Sequence, residues 1–256
     1  MKLLSKDKIE IRKAFFLEAF NRKVENMSII SFGSCNFNCS YCKRDGQFRD
    51  DNNEIINSVE CSFEELKQIV QKELAKGNRI RLSGGDPCMY IKEALNIAKY
   101  VAETSNQKIS IAHNGSCPNI VNFLSPYLDY VAIDLKSPYP DEFSAITGVS
   151  NGEDMIKRSL QTQQICTSQG ILTDVRTCVF EHTTLQTLKD IANMIVNNNK
   201  IENLFWTIRC YNPIKSCAYK APNKEQILQY IAEIKKIHPE LKIGMRARWK
   251  GGFIIF

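Results

Sequence analysis

No stretch of this 256-residue sequence stays apolar for the roughly 20 residues that a membrane-crossing helix needs, which argues against a membrane protein. The first 23 residues are charged throughout and lack the apolar core of a signal peptide. There is no linker, internal repeat or low-complexity stretch, so one domain over 1–256 is expected. No P-loop and no nucleophilic triad appear. Histidine is scarce, with three in all, and His182 and His238 read as surface or helix-end residues rather than ligands. Excess charge of one sign is slight: the formal net charge is +6, and its Lys and Arg residues are scattered. That pattern weighs against nucleic acid as a partner and leaves room for an anionic substrate. Cysteine, by contrast, is plentiful at ten. With 43% apolar residues the chain has core enough without a disulfide scaffold, so a reducing cytoplasm is expected. Cys61, Cys88, Cys117, Cys166, Cys178, Cys210 and Cys217 form no close-spaced group and read as small buried residues.

The other three cysteines stand together. Cys35, Cys39 and Cys42 are spaced three and then two apart in one short loop, with Tyr41 just before the last. Thiolates are soft ligands for zinc, copper(I) or iron–sulfur clusters. Four would close a structural zinc site or a full cluster, whereas three leave one metal position for a ligand that is not protein. A fourth ligand from Cys61 or a histidine would instead give a zinc-bound, nucleic-acid-binding module, which is the competing reading.

The pattern around the loop alternates strand and helix. Apolar, β-rich runs fall at 27–32, 79–82, 108–112, 130–135, 171–179, 204–210 and 242–245, with a final run at 253–256. Helical periodicity falls between them near 62–77, 91–103, 119–128, 153–168, 184–197 and 223–237, the first opened by the capping box Ser62–Glu65. A further helix is expected at 6–23, and a long polar loop at 43–61. Such alternation implies parallel strands with crossover helices. Six or seven units are too few for an eightfold barrel, so the expected fold is α/β: an incomplete (β/α)6 TIM-like barrel, with its core at about 27–210 and 211–256 as an extension. Because the cysteine loop follows the first strand of the core, it would sit at the C-terminal face, where such barrels work. The tail Arg246-Ala-Arg-Trp-Lys250-Gly-Gly is a candidate for binding a phosphate or carboxylate, or a plain solvated turn.

Cys35-x-x-x-Cys39-x-x-Cys42 with Tyr41 resembles the signature of radical S-adenosylmethionine (radical SAM) enzymes. The resemblance implies a [4Fe-4S] cluster on Cys35, Cys39 and Cys42, with SAM on the open iron and Tyr41 beside the adenine. Ser83-Gly84-Gly85-Asp86-Pro87 is similar to the family's Gly-Gly-Glu-Pro element, with Asp86 in place of Glu. Asp134-Leu135-Lys136, Thr147-Gly148, Asn151 and Arg176 resemble the pattern of the pyruvate formate-lyase activating enzyme branch, and His113-Asn114 sits where that branch carries Thr-Asn. By this resemblance SAM would be bound by Tyr41, Ser83, Gly84, Gly85, Asp86, His113, Asn114, Asp134, Lys136 and Arg176. Flavodoxin or ferredoxin would supply the electron. The implied reaction is cleavage of SAM to a 5′-deoxyadenosyl radical that takes hydrogen from a substrate. Departures from the branch, among them Ala112 where it has Asp and Lys43-Arg-Asp-Gly after the last cysteine, leave two substrate classes open. One is a glycyl-radical enzyme; the other is a small molecule, nucleoside or peptide.

Overall fold

The parallel strands are apolar on the face that the helices cover, as at Ile80 and Leu82, while the opposite face carries polar and charged residues such as Arg81 and Ser83. The computed structural model describes residues 1–7, 9–42, 57–214, 217–247 and 252–256. In chain order its elements are β1 (Lys2–Leu3), β2 (Glu10–Lys13), β3 (Asn26–Phe32), β4 (Val59–Glu60), α1 (Phe63–Ala75), β5 (Arg79–Gly84), α2 (Ile91–Ser105), β6 (Ile109–His113) and α3 (Pro118–Leu124). They continue with β7 (Leu128–Asp134), α4 (Pro140–Thr147), α5 (Gly152–Ser168), β8 (Leu172–Val179), α6 (Leu185–Asn198), β9 (Leu204–Cys210), α7 (Lys224–Ile237), β10 (Lys242–Arg246) and β11 (Phe253–Ile255). The strands β3, β5, β6, β7, β8, β9 and β10 are hydrogen-bonded in parallel in that order. Short antiparallel strands flank them, β11 on one edge and β1, β2 and β4 on the other. The two edges are not paired, so this is the incomplete barrel expected, with seven parallel strands. No helix among the described residues is long and apolar enough to cross a membrane.

Alternation along the strands sorts side chains between two faces. On β3, Ile30 and Phe32 pack with Val70, Ala98 and Val101 of α1 and α2. The opposite face turns Met27 and Ile29 inward, where they meet Phe16, Tyr130 and Phe205. Higher in the interior Ser31, Ser83, Ala112 and Ala132 are small, and there the barrel stays hollow. The floor is filled by bulk and the upper half is kept open by small residues. Ser62 caps α1 through the expected box, with Glu65 N donating to Ser62 Oγ and Ser62 N donating to Glu65 Oε2. Such a cap contributes about 1 kcal/mol.

Three expectations need correction. Residues 6–23 are not a helix: β2 pairs antiparallel with β3, and a 3-10 segment follows at Phe15–Phe20. Tertiary pairing overrides the apolar spacing, and Phe16 and Leu17 are buried at the barrel floor. The helix expected at 119–128 ends at Leu124 and tightens to 3-10 over Ser125–Tyr127, because Pro126 cannot donate to the α pattern. Within 43–61, Val59–Glu60 is a strand on β1, while 43–56 lie outside the described residues.

Candidate active site

The loop that follows β3 is held from two sides. Asn38 N donates to Thr147 O (2.9 Å) and Ser40 N to Ile146 O (3.1 Å), so the end of α4 supplies the carbonyls that fix it. Gly148 turns there at φ +72°, and a Cβ would come within 3.3 Å of both the oxygen and the Cβ of Asn38. On the other side Gly85 N donates to Phe32 O and Asp86 N to Ser34 O, both at 2.7 Å. Gly84 and Gly85 are therefore packed against the backbone that leads into Cys35.

Cys35, Cys39 and Cys42 form no disulfide, and all line one cavity of about 840 Å³ at the C-terminal ends of the strands. Cys35 Sγ accepts from Phe37 N (3.4 Å) and Asn114 Nδ2 (3.8 Å). Burial pushes the Cys39 thiol up to about 12, against the pull of the Lys136 ammonium. Such a thiol is neutral at pH 7 unless a metal ion replaces its proton. Three unbridged thiols opening on one space suit a cluster with one open metal position.

Asp134, Lys136, Arg176, Ser83 and Tyr41 line the same cavity. Lys136 Nζ lies 2.6 Å from Asp134 Oδ2 and 5.4 Å from the Tyr41 ring centroid. Burial works against its charge, but Asp134, Tyr41 and Cys39 outweigh it and raise Lys136 well above the usual range. Tyr41 packs edge-on against Phe180 and Tyr211. Arg176 Nε donates to Asp174 Oδ2 at 2.7 Å.

Asp86, His113 and Asn114 form a tight group. Asp86 is buried and accepts from Cys88 N (2.9 Å) and Asn114 N (2.6 Å), and its Oδ1 lies 2.7 Å from His113 Nδ1. His113 Nε2 accepts from Cys117 N at 3.3 Å, so Nδ1 carries the proton toward Asp86. Asp86, Cys88 and His113 offer ligand atoms within 4.8 Å of one another. Three donors already hold the carboxylate and His113 Nδ1 carries a proton, which makes the group a brace rather than a metal site. Burial pushes the Asp86 carboxyl up, but His113 and the two backbone donors win and hold it below 3.8. A depressed folded pKa contributes stability above the unfolded value that is lost as pH falls through the folded one. Asp86→Asn should therefore destabilise the chain by about 2 kcal/mol at neutral pH, since its amide can face donors with donors. The gap from wild type should narrow below about pH 4 as Asp86 protonates; urea unfolding at pH 7 and pH 3 checks this.

His182 is half exposed, 3.7 Å from Glu142, and His238 ends α7, as expected. Of the basic tail, Arg246 lines the cavity and 248–251 lie outside the described residues.

These features place three thiols of one loop at the C-terminal end of an open α/β barrel. A family model described as the Radical SAM superfamily matches residues 29–195, and the chain belongs to that superfamily of enzymes. A [4Fe-4S] cluster and SAM are the family's cofactors. The chain is 29% identical over 143 residues to a probable GTP 3′,8-cyclase of Thermoplasma volcanium, covering 55% of this chain and 41% of that protein. It is 24% identical over 157 residues to a putative glycyl-radical enzyme activating enzyme of Methanocaldococcus jannaschii, covering 59% and 60%. A radical SAM methyltransferase from Sphaerobacter thermophilus superposes with a TM-score of 0.67 at 14% identity, covering 87% of this chain and 66% of that one. The chain thus spans less than half the length of the GTP 3′,8-cyclases it matches.

Proposed function

We propose that this chain cleaves SAM reductively in the 840 Å³ cavity and turns the radical on a small molecule held beside it. The observation that carries the reading is the convergence of Cys35, Cys39 and Cys42 with Asp134, Lys136 and Arg176 on that one space. Its volume lies toward the top of the range of about 300–1,000 Å³ for single-ligand pockets, which suits a cofactor plus a compact second molecule. When bound, the cluster and SAM supply one-electron cleavage of the C5′–S bond, giving methionine and a 5′-deoxyadenosyl radical. The chain's own part is to hold and orient. Asp134 and Lys136 offer opposite charges, fixed by their 2.6 Å contact, to the amino acid end of SAM. Tyr41 offers an aromatic face, and Ser83 through Asp86 close the wall beside the loop. His113 acts through Asp86, and Asn114 through Cys35 and Asn36.

A second reading, activation of a glycyl-radical enzyme, is favoured by Asp134-Leu135-Lys136, Thr147-Gly148 and the similarity to the Methanocaldococcus protein. Flavodoxin or ferredoxin serves as electron donor in either. The test is anaerobic: reconstitute the protein with iron and sulfide, add dithionite and SAM, and quantify 5′-deoxyadenosine. Its formation is expected. A filled cluster that neither forms 5′-deoxyadenosine nor changes its EPR signal with SAM would sink the reading. A glycyl doublet on a partner protein would select the activase.

A further inference from the structure

The cavity that holds the cysteine loop at one end is basic elsewhere. Arg12 of β2, Arg176 of β8, Arg209 of β9 and Arg246 of β10 all line it. Arg81 of β5 stands behind them, 3% exposed, with Nε donating to Ser110 Oγ at 2.8 Å. Its Nη2 is buried with no hydrogen-bond partner among the described residues. It borders a small cavity of about 20 Å³ shared with Asp174 and Thr207, room for about one water. Among the described residues the carboxylates in this group are two. Glu10 takes both Nε (2.6 Å) and Nη2 (2.7 Å) of Arg12. Asp174 takes Arg176 Nε and Thr207 Oγ1. Among the described residues, five guanidiniums thus gather around two carboxylates, each already bonded.

Such a gathering costs stability. Like charges in a partly buried space repel, and guanidinium does not relieve this by losing its proton at neutral pH. Burial and the neighbouring arginines push both Arg81 and Arg246 down to about 9, which reflects that strain. Aromatic rings orient two of the forks: Arg246 lies over Phe253 at 5.8 Å and Arg81 over Tyr130 at 5.3 Å. Planar forks held in fixed directions suit several anionic oxygens at once, as in a di- or triphosphate.

We propose that Arg12, Arg209 and Arg246 bind the di- or triphosphate of a phosphorylated small-molecule substrate in this cavity, with Arg176 and Arg81 supporting them. This rests on the reading of the cavity as the seat of radical chemistry on a small molecule, and it names the class of that molecule.

The test is binding, with activity measured separately. Anaerobic, cluster-reconstituted full-length protein in excess SAM is titrated with inorganic triphosphate by calorimetry. Tricarballylate, a trianion at neutral pH, serves as a carboxylate probe. The variants are Arg209→Gln, Arg246→Gln, the charge-retaining Arg246→Lys, and Lys157→Gln on an exposed turn of α5. Circular dichroism on each confirms the fold. Saturable triphosphate binding is expected, about tenfold or more weaker in both glutamine variants. It should be partly restored in Arg246→Lys and unchanged in Lys157→Gln. Three outcomes each overturn the subsite: no saturable binding by wild type, equal binding by folded Arg209→Gln and Arg246→Gln, or preference for tricarballylate. The 5′-deoxyadenosine assay on the same wild-type sample judges the radical reading independently. Cleavage without triphosphate binding discards the subsite alone, and binding with no cleavage or EPR response to SAM discards the radical reading alone.

Discussion

Replacing Cys39 with alanine is expected to leave a folded chain that loads no complete cluster and forms 5′-deoxyadenosine only at background. Cys178 and Cys210 also line the cavity, but only these three thiols share one loop, and two cannot hold a cubane that three are spaced to hold. Cys39 is the informative one to remove. Burial drives its thiol up to about 12, so as a free side chain it is an inert, neutral group whose loss costs little stability. The nearby Lys136 ammonium favours its thiolate, the form that binds metal. A matched control is Cys166→Ala. That thiol is also buried and raised to about 12, but it packs among the helices in the apolar cluster with Ile171. It should lose about 1 kcal/mol of packing and keep wild-type iron content and SAM cleavage. Iron and sulfide analysis with the visible absorbance of the reconstituted proteins reads the difference. A Cys39→Ala protein with full iron content would remove the cluster assignment, and with it the proposed reaction.

What the sequence made legible follows from how local each signal is. The cysteine loop was readable because its three thiols lie within eight residues, and the strand–helix alternation because each element carries its own period. The missed features are those whose meaning is tertiary. Residues 6–23 have apolar spacing that fits a helix, but Glu10–Lys13 finds an edge on β3 and Phe16 finds the barrel floor. α4 is eight residues long and begins on a proline, too short to show a period, yet its last two carbonyls fix Asn38 and Ser40. The arginines are the clearest case. In sequence, 12, 81, 176, 209 and 246 are spread over the whole chain; Arg176 and Arg246 stood out singly, while 12, 81 and 209 read as scattered charge. Strand alternation and barrel curvature turn all five toward one interior. Positive charge that looks diffuse in sequence is concentrated by the fold, and no local pattern announces it.

The glycine pair beside the loop gives a prediction in which sterics and backbone conformation point to different residues. Gly77 ends α1 at φ +76° with nothing within 4 Å of an added Cβ. Gly77→Ala should therefore cost only the left-handed penalty, about 1 kcal/mol, and leave cluster loading intact. Gly85 is not at positive φ, but its Cβ would lie 1.6 Å from Ser34 O and 2.9 Å from Ser34 N. These are backbone atoms and no rotamer change can clear them. The carbonyl that must move is the one accepting from Asp86 N at 2.7 Å, and the next residue is Cys35. Gly85→Ala should therefore cost about 3 kcal/mol or more, from overpacking together with a lost buried hydrogen bond, and should lower cluster loading as Cys35 shifts. Gly84→Ala should behave alike, since it is at φ +106° and its Cβ would meet Phe32 N at 2.1 Å. Urea unfolding of the cluster-free proteins measures the stability arm, free of coupling to metal loss. Iron content after reconstitution measures the other. A Gly85→Ala protein as stable as Gly77→Ala and fully loaded would mean that the loop tolerates the shift. The glycines would then be needed for close approach of a ligand and not for seating the cysteines. Low loading in a Gly85→Ala protein that still folds would place their role in holding Cys35 where a cluster can reach it.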